Sequence, residues 1–87
     1  MSNGEAWTDP DRDAAQRLGA AVAELRRQAS LTQAELAERA EMTEQEIAAV
    51  EAGQLDPLWG DLRRIAYALE VPLPELLARV EAQSPPP

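Results

Sequence analysis

Apolar residues recur at helical spacing along most of the chain, and no segment alternates with period two. Ala15, Leu18, Val22, Leu25 and Ala29 predict a first helix over about Pro10–Gln28, with Asp9 as its cap and Pro10 at its first position. Acidic residues crowd its start and Arg26-Arg27 its end, as the helix dipole favours. Leu36, Ala37 and Ala40 mark a second helix over about Gln33–Ala40. Ile47 and Val50 mark a third over about Glu44–Ala52, closed by Gly53. Asp56-Pro57 opens a fourth, whose stripe is Trp59, Leu62, Ile65, Ala66 and Leu69. A fifth, over about Leu73–Ala82, carries Leu73, Leu76, Leu77 and Val80.

The pattern predicts a compact all-α domain of five short helices and no sheet. Residues 1–9 read as a flexible N-terminal lead, 10–82 as the single domain, and 83–87 as a disordered Pro-rich tail. Trp59 and Tyr67 are expected in the core or at its edge. Leu55 and Leu58 flank Asp56-Pro57, where a loop is normally polar. They either cover the core edge or, with Trp7 and the fifth helix and its preceding loop, support self-association.

The second and third helices share a local signature. Thr32 is followed three residues on by Glu35, and Thr43 by Glu46. Each is a capping box, in which hydroxyl and carboxylate satisfy orphan backbone donors reciprocally. Two helices opened this way, with one tight turn between, form a helix-turn-helix, for which DNA binding is the default expectation.

Composition opposes that default. Of 87 residues, 16 are acidic and 8 basic, all arginine, giving a net charge of −8. Residues 31–55 hold Glu35, Glu38, Glu41, Glu44, Glu46 and Glu51 against Arg39 alone. Such a balance disfavours nonspecific attraction to polyphosphate, though the field at one face decides specific binding. The chain has no cysteine and no histidine, so disulfides, most zinc sites and histidine-based acid/base catalysis are excluded. Nothing frames a catalytic pocket, so neither an enzyme nor a cofactor is expected. No apolar run spans a bilayer, and Met1–Trp7 lacks the features of a signal peptide, so a soluble cytoplasmic protein is expected.

Three pieces of sequence carry a family resemblance. They are Leu25-Arg26…Leu31-Thr32-Gln33-Ala34-Glu35-Leu36-Ala37, Thr43…Ile47…Val50-Glu51…Gly53…Pro57, and Leu62…Ile65-Ala66…Leu69…Val71…Leu73…Leu76. Over roughly residues 18–77 the chain resembles the phage-repressor and Cro-like (XRE-type) helix-turn-helix regulators, with their lambda-repressor-like DNA-binding fold. The resemblance implies a structural ion pair between Arg26 and Glu51. Glu51 lies only about 40° around its helix from Ile47, so it is expected to be partly buried and in need of a partner. The resemblance also implies base contacts from Glu44, Gln45, Ala48 and Ala49. Phosphate contacts fall to Gln33, Thr43, Ala52 and Gln54, with Thr32 and the backbone amides opening the second and third helices.

With Ile47 and Val50 inward, the outward face of the third helix centres on Gln45, flanked by Ala49 and Ala52. An amide can read adenine, the alanine methyls can touch a thymine methyl, and Glu44 can accept from cytosine. Where relatives often carry basic or small polar groups, this chain has Glu44, Glu46, Ala48, Ala49 and Ala52. The turn position often held by glycine is Glu41; if left-handed, it costs roughly 1 kcal/mol. Two readings therefore stand. One is a repressor-like regulator that binds a palindromic operator in duplex DNA as a homodimer. The other is an acidic interaction module whose alanine patch seats a protein partner's helix. Arg12, Arg17, Arg39, Arg63 and Arg64 are the cations available for phosphate.

Overall fold

The computed structural model describes residues 7–83. These form α1 (Asp9–Gln28), α2 (Gln33–Ala40), α3 (Glu44–Glu51), α4 (Trp59–Ala68) and α5 (Leu73–Glu81), with no strand among the described residues. The proposed lead and tail fall largely outside the described residues. The first helix begins one residue earlier than expected, and its cap is Thr8, not Asp9. The Thr8 hydroxyl accepts from Asp11 N–H at 3.2 Å, while Thr8 N–H donates to the Asp11 carboxylate at 3.0 Å. Asp56 does not open α4. Leu58 occupies the cap position without a side-chain bond, and the helix starts at Trp59.

Four helices end alike. After α1, α2, α3 and α4 the residues Ser30, Glu41, Gly53 and Glu70 take left-handed backbone angles, with φ of 60°, 57°, 73° and 59°. In each case that residue's N–H and the next one's close back on the last turn, as in Glu41 N–H to Glu38 O at 3.3 Å and Met42 N–H to Ala37 O at 2.9 Å. Only Gly53 adopts this angle without a Cβ penalty. Leu31 and Met42, which follow two of these turns, immediately precede the capping threonines. Leu31 joins Leu36 in the core, and Met42 packs on the cluster that holds Ile47. Each pair sits at the positions of a hydrophobic staple, which fixes the angle at which the chain enters the helix.

The core gathers Leu18, Val22 and Leu25 of α1, Leu36 of α2, Ile47 and Val50 of α3, Ile65 and Leu69 at α4, and Leu76 of α5. α1 packs on α3 and α5, α2 on α3 and α4, and α4 on α5. Gly19 lies where α1 crosses α3. A Cβ there would stand 2.3 Å from the Val50 carbonyl oxygen, so only glycine permits this approach.

Trp59 and Tyr67 depart from expectation: they are 62% and 83% exposed. Tyr67 lies about 200° around α4 from the buried Ile65. Trp59 is the helix's first residue and does not join the core cluster. Leu55 packs partly on the core, whereas Leu58 is exposed.

Candidate nucleic-acid interface

The α2–turn–α3 unit is held to α1 by one polar network. Arg26 Nε donates to Glu51 Oε2 at 2.7 Å, and Nη2 to Oε1 at 3.1 Å. Arg26 Nη1 also donates to the Leu31 carbonyl at 2.8 Å, and Gln33 Nε2 to Glu51 Oε1 at 2.9 Å. The Glu51 side chain is only 7% exposed, so the pair is deeply set. Hydrogen bonding to Glu51 raises the guanidinium's pKa further above its ordinary value. Such a pair orients α3 against α1 more than it adds net stability, because two charges had to leave water. Gln33, expected only as a backbone anchor, is thereby joined to the same network.

α3 presents the side predicted for it. Glu44, Gln45 and Glu46 are exposed, as are Thr43, Ala52 and Gln54 around its ends. Ala48 and Ala49 are half-buried, as is Gln33 on α2, and Thr32 is exposed. This side is not packed away inside the domain.

The carboxylates around it are not equivalent. Glu46 accepts from Thr43 N–H at 2.9 Å, and its own N–H donates to the Thr43 hydroxyl at 3.0 Å. Glu35 and Thr32 form the same reciprocal pair at 2.9 and 3.0 Å. The backbone N–H bond from each threonine, and then its hydroxyl, holds each glutamate below the ordinary carboxylate range. Arg39 lowers Glu35 a little further, and Arg64 does so for Glu46. Of the three glutamates on α3, Glu51 is matched by Arg26 and Glu46 by its helix terminus. Glu44 alone has no such partner among the described residues. The strip of Gln33, Gln45, Ala49 and Gln54 is uncharged.

The arginines divide in the same way. Arg17 binds Asp13 at 2.8 Å and the Gln83 carbonyl at 2.7 Å, and Arg79 binds Glu24 at 2.8 Å. Arg64 binds Asp61 and closes the end of α2 through the Ala40 carbonyl at 3.1 Å. Arg17 and Arg64, counted as available to phosphate from the sequence, are thus committed internally. Arg39 stands 4.0 Å from Glu70, both exposed, a contact worth little. Arg12, Arg27 and Arg63 are exposed, with no ion pair among the described residues. Arg39 and Arg63 line one hollow with Glu41, Gly60, Arg64 and Tyr67.

The chain belongs to the helix-turn-helix domain family, whose sequence profile matches residues 17–80. Its fold is that of the clp gene regulator ClgR from Corynebacterium glutamicum, at 24% identity and a TM-score of 0.76, covering 78% of this chain and 72% of that one. A second structure of ClgR gives 0.74 at the same identity, covering 88% of that chain. The restriction-modification controller protein C.AhdI from Aeromonas hydrophila is also similar. It is 27% identical, with a TM-score of 0.70, over 71% of this chain and 94% of that one. No curated protein matches the sequence. No described helix is long and apolar enough to cross a membrane.

Proposed function

We propose that this protein is a DNA-binding transcriptional regulator that reads the major groove with α3. The observation that carries this reading is an uncharged strip on the open side of α3, with Gln45 and Gln54 exposed and Gln33 and Ala49 half-buried, and with Glu46 and Glu51 held by local partners. Gln45 is the central base reader, suited to the N6 and N7 groups of adenine. Ala48 and Ala49 offer methyls, and Glu44 selects for cytosine N4 or against phosphate. Gln33, Thr43, Gln54 and the first amides of α2 and α3 hold the sugar-phosphate backbone without formal charge. The two regulatory proteins that share the fold support the same class of function.

One such module covers only roughly 600–1,000 Å² of DNA-contacting surface, so two copies on a palindromic operator are the expected assembly. The exposed Tyr67 and the adjoining Val71-Pro72 segment ahead of α5 form the self-association surface of this proposal. Sedimentation of wild type and Tyr67→Asp tests it: dimerisation weakened by the substitution is expected, and a wild type that stays monomeric on DNA contradicts it.

The test of readout is selection of bound duplexes from a random pool, with wild type and with Gln45→Ala. Wild type should enrich a motif whose A·T preference disappears at one position per half-site in the variant. No enrichment, even at low salt, would return the fold to a protein-interaction role.

A further inference from the structure

A second hollow lies between the first half of α1, the loop before α4, α4 itself and α5. It encloses about 350 Å³ and is lined by Trp7, Ala14, Ala15, Leu18, Leu62, Leu77 and Val80, with Asp11 and Asp56 also in its wall. The size falls at the small end of ligand sites. Among the described residues the lining carries one aromatic ring, an aliphatic floor and two carboxylates, and no arginine. Asp56 has no ion pair among the described residues. Asp11 is held below its ordinary pKa by the Thr8 backbone N–H and then the Thr8 hydroxyl, so it is ionised at neutral pH.

We infer that this hollow binds a small hydrophobic organic cation, an alkyl- or arylammonium. Its apolar body lies against Leu62, Leu77 and Val80, and its charge is placed between Trp7 and the Asp56 carboxylate, with Asp11, already bonded to the Thr8 N–H, adding to the negative field. An anion is rejected by the two carboxylates, and a neutral hydrophobe leaves their attraction unused. An ammonium adds attraction to the indole as well as to the charges. Asp56 lies three residues beyond Gly53, which closes α3. The site does not depend on the DNA-binding reading.

Benzyltriethylammonium chloride, titrated into the isotope-labelled full chain at constant ionic strength, tests the assignment. Saturable NMR shifts at Ala14, Ala15, Leu62, Leu77 and the Trp7 indole are expected. Asp56→Asn, which removes charge without changing size, should weaken binding by about two- to five-fold, as should Trp7→Ala. Circular dichroism checks that both variants keep their helices. Benzylsulfonate should leave these signals unmoved, and benzyl alcohol should bind more weakly. Equal binding of the sulfonate or the alcohol would overturn the inference. So would an unchanged affinity in Asp56→Asn, or shifts that map elsewhere.

Discussion

Three left-handed residues that are not glycine set the local strain of this domain. Ser30, Glu41 and Glu70 each end a helix with φ near 60°. An L side chain there costs roughly 1 kcal/mol, part of which glycine gives back through the greater entropy of its unfolded chain. Glu41→Gly and Glu70→Gly should therefore each raise the thermal midpoint, by about 2–6 °C for a domain of this size. Loss of the Arg39–Glu70 contact subtracts little, because both groups face solvent. A lower midpoint in both variants, measured by thermal unfolding, would show that the turns rely on the carboxylates. The sequence exposed Glu41 through its place in the helix-turn-helix, but not Ser30 or Glu70, which have no motif around them. A signal existed: Ala29-Ser30-Leu31, Ala40-Glu41-Met42 and Leu69-Glu70-Val71 each set a polar residue between apolar ones at a helix end.

At the scale of elements, the starts of α2 and α3 followed from capping chemistry supplied by Thr32 and Thr43. α2 and α3 start where their capping boxes place them. α1 starts one residue before the position that Asp9-Pro10 predicts, because the Thr8–Asp11 pair caps it instead. α4 lacks a side-chain cap altogether, so the Asp56-Pro57 signal places its start two residues too early. Its exposed aromatics misled for a related reason: a large ring at helical spacing resembles core, but small Ala66 and Ala68 fill the interior instead. Gly19 gave no warning, since its role depends on a crossing between helices far apart in sequence.

The three capping boxes make a prediction about acid. Asp11, Glu35 and Glu46 are lowered from ordinary values of 3.8, 4.5 and 4.5 by their threonine partners. Their folded forms bind protons more weakly than the unfolded chain does. The stability they confer is thus complete above those ordinary values and is lost as pH falls through the lowered ones. The thermal midpoint should hold steady down to about pH 5 and then decline. The decline should be shallower in a Thr32→Ala, Thr43→Ala double variant, whose midpoint is already lower at neutral pH. An equal decline in wild type and variant would remove the boxes from the account.

For the whole molecule, the deciding quantity is charge. A net −8 would place this domain outside the usual range of DNA readers if the field were uniform. It is not uniform: capping and the Arg26–Glu51 pair confine much of the acidity around α2 and α3 to local partners. Family and the outward side of α3 were legible in the sequence because both rest on short-range motifs. Which arginines stay available was not, since Arg17 and Arg64 are taken up by the Gln83 and Ala40 carbonyls, contacts that only the fold creates. Arg39 and Arg63 remain beside the helix-turn-helix. In the proposed dimer, two copies of the chain would bring about four cations to the operator backbone, and most affinity would come from amides, methyls and neutral hydrogen bonds. The salt dependence of affinity for a selected operator measures this directly. A plot of log K against log salt should have a slope of about −3.6 or shallower, at −0.9 per neutralised phosphate. A slope steeper than about −6 would require more neutralised phosphates than Arg39 and Arg63 of two copies supply, and would contradict the account.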